Sequence, residues 1–228
     1  MADQLVIPFA VEPNFAAANF IVAPCNEQAD AFITRWPDWP VRAAALYGPA
    51  GCGKSHLAMV WSRMAGAHIL SASASTDASL AFLADHRDDG FVIEDVDREP
   101  PTRERDAFLM ALFERANGTM LLTGRAAPSA WPVATPDLTS RFQSLIALPM
   151  WAPDDVLLRQ LVAKHFADRQ VKPSESAIER IVSHVERTPA AIAAFVERAD
   201  LKALAEKRGV TERLVLGLLE AETGSGSD

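Results

Sequence analysis

The sequence is poor in cysteine and carries an excess of negative charge. Its 228 residues include two cysteines, Cys25 and Cys52, too few for a disulfide framework and in keeping with a reducing, cytoplasmic compartment. The 30 acidic residues outnumber the 22 basic ones, which gives a net charge of −8. Because tight DNA binding relies on neutralising phosphates with lysine and arginine, we expect the chain to reach DNA only through a partner.

Long hydrophobic segments are also missing. No apolar run approaches the roughly 18 residues that a membrane-spanning helix needs. The N-terminus shows no basic segment followed by an apolar stretch, so we expect no secretion signal. Hydrophobic residues make up 49% of the chain and charged residues 23%, an ordinary globular composition. These features predict a cytoplasmic globular protein with one domain, or with one domain and a small companion.

Short apolar segments alternate with helical patterns as far as residue 150. Each segment is followed by a turn or helix signal, as buried parallel strands are. The segments are 43–48, 67–72, 90–95, 119–124 and 144–150. Between them, residues 56–65 and 105–116 place apolar side chains three and four apart, as crossover helices do. The pattern predicts an α/β domain with a doubly wound parallel five-stranded sheet.

After Pro153 the strand signals stop and helix signals take over. Four helices are predicted, with Asp154 or Asp155 capping the first, Thr188 opening the third, Gly209 ending it, and Thr211 capping the fourth. We therefore divide the chain into an N-terminal tail, an α/β core, a small helical domain and a flexible end. The predicted boundaries are 1–12, 13–152, 153–222 and 223–228.

Residues 48–55, GPAGCGKS, fit the phosphate-binding pattern G-x-x-x-x-G-K-[ST] between a predicted strand and a predicted helix. The glycines let the backbone curl so that consecutive N–H groups point at phosphate oxygens. Lys54 is expected to neutralise the outer phosphates and Ser55 to ligate Mg²⁺, while the helix N-terminus adds its partial positive charge. The alternative is a glycine-rich turn that matches by chance. The residues predicted to contact nucleotide here are Gly48, Pro49, Ala50, Gly51, Cys52, Gly53, Lys54, Ser55 and His56.

Beside a phosphate loop, a second strand that ends in acidic residues is expected to hold the metal. In FVIEDVD, Glu94 and Asp95 stand where an apolar strand ends. Glu94 is therefore predicted, with Ser55, to bind Mg²⁺, and both acids are candidate catalytic residues. The alternative is a pair of solvated acids at a strand terminus.

The segment GPAGCGKSHL resembles the phosphate loop of the AAA+ ATPases, and its final His-Leu is typical of the DnaA branch of bacterial replication initiators. Residues 14–29 resemble the segment that lines the adenine pocket in that branch. The resemblance places Ile21, Val22 and Asn26 at base-contacting positions. It implies ADP or ATP, with Mg²⁺, as the cofactor.

Further stretches extend the resemblance along almost the whole chain. Thr123, at the end of the fourth predicted strand, falls close to the position called sensor 1. PDLTSRF, residues 136–142, is similar to the stretch that carries the arginine finger, so the resemblance assigns that role to Arg141. The alternative for Arg141 is a structural pairing with Asp137. The helical region after Pro153 resembles the AAA+ lid.

Within the branch, the sequence is most similar to the regulatory inactivators of DnaA, the Hda-type proteins. We see neither the C-terminal helix-turn-helix domain of the initiators nor their longer insertion between the second and third strands. Hda-type proteins begin with a motif like Gln-Leu-x-Leu-Pro-Leu, which docks on the sliding clamp, the beta subunit of DNA polymerase III. QLVIPF at residues 4–9 matches that motif through Gln4, Leu5, Ile7, Pro8 and Phe9. The alternative is an edge strand packed on the core.

The resemblance implies the clamp and DnaA as partners, with a homodimer left open. Two departures from the family predict weak hydrolysis by this chain. Glu94 and Asp95 stand where the family has aspartate first, and a shift of about 1 Å in a catalytic group can cost a hundredfold in rate. Ala190 stands where the lid usually has its sensor 2 arginine, with Arg187 one turn earlier. The expected role is to stimulate ATP hydrolysis by DnaA. Rival interpretations are a free-standing ATPase resembling a helicase loader, a P-loop kinase, and an adaptor that uses neither clamp nor finger.

Overall fold

The computed structural model describes residues 19–72, 77–98 and 100–224, which fall into two compact units, 19–151 and 152–224. The first unit is built on a sheet, and the described residues of the second unit form helices. The predicted clamp motif at residues 4–9 lies outside the described residues, as does the chain after residue 224. None of the described helices has the length and apolar character needed to cross a lipid bilayer.

All five predicted strands form, and together they make one parallel sheet. The strands are β1 (Ala43–Tyr47), β2 (His68–Ser71), β3 (Phe91–Glu94), β4 (Met120–Gly124) and β5 (Ile146–Pro149). Their order across the sheet is β2-β3-β4-β1-β5, and every neighbouring pair is parallel. Because parallel neighbours need crossover connections, helices separate the strands in sequence. The predicted α/β class is confirmed.

Helices cover both faces of this sheet. They are α1 (Glu27–Ile33), α2 (Lys54–Ala65), α3 (Asp77–Asp85), α4 (Arg103–Arg115) and α5 (Pro136–Gln143), with a short 3-10 turn at Pro128–Ala130. Successive strand residues point to opposite faces, so Ala44 and Ala45 of β1 belong to different cores. The core around Ala44 includes α1 and α2, and the core around Ala45 includes α3, α4 and α5.

The second unit contains four helices among its described residues, as predicted. They are α6 (Asp155–Ala167), α7 (Glu175–His184), α8 (Pro189–Ala205) and α9 (Glu212–Gly224). The side chains of Asp154, Thr188 and Thr211 accept the backbone N–H groups of Leu157, Ala191 and Leu214, so the three predicted caps are present. α6 packs against α7 and α8, and α9 packs against the same two helices.

The prediction that Gly209 ends α8 is wrong. The helix stops at Ala205, and Lys207 takes the left-handed conformation with φ of 50°. The backbone N–H of Lys207 donates to the Leu204 carbonyl, and that of Arg208 donates to the Ala203 carbonyl. These two bonds form the Schellman motif that usually has glycine at its left-handed position. Lysine occupies that position here, so a stop signal based on glycine misses the true end.

Gly217→Ala is expected to stabilise the chain by about 1 kcal/mol, because glycine inside a helix costs about that much relative to alanine. Gly217 is exposed in α9, and a Cβ atom there would meet no other heavy atom within 4 Å. The matched control is Gly66→Ala, which should destabilise because Gly66 has a φ of 63° at the end of α2. Urea denaturation measures the change in the free energy of unfolding for each variant. A change of the same sign in both variants would contradict the expected difference between the two glycines.

Candidate functional site

The phosphate-binding motif forms a curled loop between the carboxyl end of β1 and the start of α2. Gly53 has a φ of 102° immediately before the helix, a conformation that disfavours any residue with a side chain. A Cβ atom on Gly48 would lie 1.9 Å from the Met150 carbonyl oxygen, so the loop also needs glycine at its first position. The loop therefore has the curl that the sequence predicts.

Lys54 lies inside this loop, and its side chain is almost entirely buried. The residue is 7% exposed, and Nζ donates to the carbonyl oxygens of Gly48 at 2.9 Å and of Pro49 at 3.0 Å. Ser55 follows as the second residue of α2 and is exposed. Cys52, within the loop, is buried, and this burial raises the pKa of its thiol. A buried ammonium group at a helix N-terminus, ringed by backbone, suits an anion.

Glu94 and Asp95 lie at the same edge of the sheet as the phosphate loop. Glu94 is the last residue of β3, and β4 lies between β3 and β1, so the acids stand two strand spacings from the loop, or about 10 Å. Asp95 has a φ of 52°, and its carboxylate lies 3.5 Å from Nη1 of Arg98. Asp95 is thus held in a strained backbone conformation directly after the strand that ends at Glu94.

Thr123 fixes this acidic turn. The residue is fully buried near the end of β4. Its hydroxyl accepts the backbone N–H of Asp95 at 2.9 Å, and its carbonyl accepts that of Val96 at 2.8 Å. The predicted sensor 1 residue therefore holds the acids in place from the neighbouring strand.

The predicted adenine-pocket segment lies beside the phosphate loop. The Phe20 ring packs edge-on against His56 of α2, with 5.4 Å between ring centroids. Asn26 is buried, and its Oδ1 accepts the backbone N–H of Ala23 while its Nδ2 donates to the Ile21 carbonyl. Val22 is 51% exposed. Asn26 thus shapes the segment, and Val22 presents an apolar surface.

Arg141 lies at the opposite end of the strands from the phosphate loop. It is exposed on α5 and borders a cleft of about 200 Å³ whose lining includes Ala43 and Met120, the first residues of β1 and β4. A five-residue strand is about 17 Å long. The guanidinium of Arg141 makes no hydrogen bond or ion pair with any residue that the structure describes, and the alternative pairing with Asp137 is not formed.

Two aspartates that the sequence analysis did not single out position the surrounding loops. The carboxylate of Asp97 accepts the backbone N–H groups of Arg125 and Ala126 at 2.7 to 2.9 Å, which fixes the loop after β4. Asp106 is fully buried, and its Oδ2 accepts the N–H groups of Ala134 and Thr135 just before α5. For Asp106 the sequence contained one signal, an acidic residue on the face of α4 where apolar side chains are expected.

Arg187, the considered substitute for a sensor 2 arginine, is held within the helical unit. Its Nη1 lies 2.6 Å from Oδ1 of Asp155, and its Nη2 donates to the Pro153 carbonyl at 3.2 Å. Ala190 is exposed as the second residue of α8. Arg187 thus fastens the start of α6 to the segment before α8.

No protein-family model and no curated protein sequence matches this chain. Solved structures do match it. Domain III of the replication initiation protein DnaA from Thermotoga maritima aligns with a TM-score of 0.79 at 15% identity, over 93% of this chain and 98% of that one. A replication initiator DnaA bound to AMPPCP and single-stranded DNA aligns with a TM-score of 0.73 at 16% identity, over 87% of this chain and 69% of that one.

The Thermotoga maritima RuvB Holliday junction branch migration motor also matches, with a TM-score of 0.68 at 19% identity. That alignment covers 86% of this chain and 66% of RuvB. Identities this low establish the architecture alone. The chain shares the fold of domain III of DnaA and of RuvB.

Proposed function

We propose that this chain binds an adenine nucleotide with Mg²⁺ and uses Arg141 to stimulate ATP hydrolysis on DnaA. The loop at residues 48–55 supports the first part, since it offers a buried ammonium group and helix N–H groups to phosphates. Ser55 and Glu94 are the proposed Mg²⁺ ligands, and the bound ion would screen phosphate charge. Ile21 and Val22 provide the apolar surface for the base, with Asn26 holding their segment.

Lys54→Met is expected to weaken ATP binding about 100-fold, which is about 2.7 kcal/mol. Methionine keeps much of the apolar stem but removes the charge that would meet the phosphates, and losing one partner of a buried charged pair costs about 2–5 kcal/mol. Titration with a fluorescent ATP analogue measures the affinity. The exposed Lys172→Met is the matched control, and it should bind like the unaltered chain. An affinity within threefold of that control would contradict the site.

Hydrolysis by this chain itself is proposed to be slow. Asp95 stands at a strained turn with its carboxylate beside Arg98, and Arg187 is bound to Asp155. Neither arrangement offers a free group for orienting water or the γ-phosphate. The proposed role of the bound nucleotide is to hold this chain in its active conformation.

The position of Arg141 is the observation that carries the proposed action on another subunit. The phosphate loop follows the carboxyl end of β1, whereas Arg141 lies beside the amino ends of β1 and β4. A guanidinium there lies at the strand ends opposite its own chain's phosphate loop, and it is exposed, so another subunit can reach it. Arginine fingers delivered in this way accelerate phosphoryl transfer by about 10³- to 10⁵-fold. DnaA is proposed as the receiving subunit because the sequence resembles its regulatory inactivators.

Recruitment through residues 4–9 to the sliding clamp completes the proposal. Its support is the match of QLVIPF to the clamp-docking motif. Burial of Leu5, Ile7 and Phe9 would contribute about 1.5–3 kcal/mol each. Ordering the tail and losing rigid-body freedom cost several kcal/mol of this stabilisation, which leaves a dissociation constant of about 1 μM. Such an affinity suits reversible recruitment to clamps loaded on DNA.

The test is ATP hydrolysis by DnaA with this chain, nucleotide and clamp-loaded DNA. The double variant Gln4→Ala with Leu5→Ala should lose stimulation at low concentration and regain it at high concentration, because it loses only recruitment. Arg141→Ala should stay inactive at every concentration. No stimulation by the unaltered chain would overturn the proposal.

A free-standing ATPase is the second candidate, favoured by the structural match to the RuvB motor. It predicts substantial ATP turnover by the isolated chain, independent of DnaA and of the clamp. Steady-state phosphate release from the chain alone separates the two candidates.

A further inference from the structure

Away from the phosphate loop, three side chains meet at the amino ends of β2 and β3. His68 is the first residue of β2, His86 follows α3 directly, and Asp89 lies two residues before β3. Nε2 of His68 and Nδ1 of His86 each lie 2.9 Å from the same Asp89 oxygen, Oδ2. The three potential ligand atoms lie within 4.8 Å of one another.

Aromatic packing holds the two imidazole rings in this arrangement. Phe82 packs edge-on against His68 with 5.0 Å between centroids, and it lies 4.2 Å from the His86 ring. The His68 backbone is fixed as well, since its N–H donates to the Gly90 carbonyl at 2.8 Å and it pairs with Phe91 in the sheet. The rings are therefore preorganised, as good ligand sites require.

The turn that carries Asp89 is equally constrained. The backbone N–H of Asn117 donates to the Arg87 carbonyl at 2.7 Å, and its side-chain Nδ2 donates to Asp88 at 2.9 Å. Gly118 lies so close that a Cβ atom there would stand 1.9 Å from the Asp89 carbonyl oxygen. The turn at 86–89 is thus held in place by the connection between α4 and β4.

Charge and access at this cluster favour a cation. Residues 85–89 contain three aspartates and one arginine. The side chains of His68, His86 and Asp89 are 32%, 36% and 45% exposed, so ions reach them from solvent.

We propose that His68, His86 and Asp89 form a Zn²⁺ site. Two imidazoles and a carboxylate suit this ion, which binds them at about 2.0–2.2 Å with tetrahedral geometry. That geometry places donor atoms about 3.3 Å apart. The two contacts of 2.9 Å need to open by a few tenths of an ångström, and the two ring nitrogens, which lie within 4.8 Å of each other, need to reach the same separation. Water completes the coordination on the exposed side.

The bound ion would fasten an edge of the sheet. β2 is the outermost strand beside β3, and the ion would tie its first residue to the turn that precedes β3. The cluster lies at the strand ends opposite the phosphate loop. Zinc binding can therefore be measured without nucleotide and without DnaA.

The test uses the full chain, freed of metal by a chelator and kept without nucleotide. Zinc titration against a coloured chelator should give one Zn²⁺ per chain, and millimolar Mg²⁺ should not displace it, because Mg²⁺ prefers an all-oxygen site. His86→Gln and Asp89→Asn should each weaken zinc binding by about 100-fold or more, since even the loss of a supporting group costs 10- to 100-fold. His184→Gln, an exposed histidine in the helical unit, is the matched control and should bind zinc normally.

Two further readouts decide the outcome. Cobalt substitution should give a visible absorption band that His86→Gln lacks, and melting temperatures without metal should show that the variants still fold. Bound zinc should raise the melting temperature of the unaltered chain and of His184→Gln only, because a ligand of the native state stabilises it. Equal zinc affinity in His86→Gln and the unaltered chain, or no stoichiometric binding at all, would overturn the proposal.

Discussion

Arg141→Ala is expected to reduce stimulation of the DnaA ATPase by about 10³-fold, the lower end of the range for arginine fingers. The guanidinium would stabilise the charge that develops on the transferring phosphoryl group, which alanine cannot do. Arg141 is exposed and contacts no carboxylate among the described residues, so its loss should leave folding and nucleotide affinity unchanged. Phosphate release by DnaA at saturating concentrations of this chain measures the effect.

Two controls separate a finger from a general charge effect. Arg63→Ala removes an equally exposed arginine from α2 and should leave stimulation intact. Arg141→Lys keeps the charge but loses the planar fork that binds two oxygens at once, so it should restore only part of the rate. Full stimulation by Arg141→Ala would exclude this residue as the finger.

Asp106→Ala is expected to lower the free energy of unfolding by about 3–5 kcal/mol, because removing one partner of a buried charged pair leaves the other uncompensated. Arg105 and Asp106 are both buried, with 3.8 Å between Nε and Oδ1. Burial lowers the pKa of Arg105, while Asp106 opposes that shift. Alanine would also leave the N–H groups of Ala134 and Thr135 without their acceptor. Urea denaturation measures the loss.

The exposed Glu114→Ala, also on α4, is the control and should change stability by no more than about 0.5 kcal/mol. Asp106→Asn should cost less than alanine, because its amide oxygen still accepts from the segment before α5. Thr135 is the N-cap of α5, so Asp106→Asn should keep α5 and Arg141 in place and should preserve stimulation of DnaA. A loss below 1 kcal/mol in Asp106→Ala would contradict the role of the buried pair.

The sheet and the phosphate loop could be predicted because their signals are local. Short apolar runs mark the five strands, and glycine spacing marks the loop whose φ values the structure shows. The caps at Asp154 and Thr188 are similarly local, since each side chain bonds a backbone group three residues on. The end of α8 was missed because Lys207 takes a conformation that its residue type disfavours.

Features that depend on long-range contacts could not be predicted from the sequence. The strand order places β4 between β1 and β3 and so sets the distance from Glu94 to the phosphate loop, and no local pattern encodes that order. Asp97 and Asp106 act through backbone groups almost thirty residues away, so neither belongs to a recognisable motif. Docking of residues 4–9 on the clamp and the action of Arg141 on DnaA remain predictions. The first is supported by the resemblance, and the second by the resemblance and the position of Arg141.

A single-turnover measurement tests the trans action of Arg141 most directly. DnaA is loaded with ATP labelled on its γ-phosphate, freed of unbound nucleotide, and mixed with clamp-loaded DNA, this chain and excess unlabelled ATP. Labelled phosphate then reports hydrolysis on DnaA alone. The unaltered chain should accelerate its release, and Arg141→Ala should not. Unchanged release with the unaltered chain, or equal acceleration by both proteins, would contradict a finger delivered from this subunit.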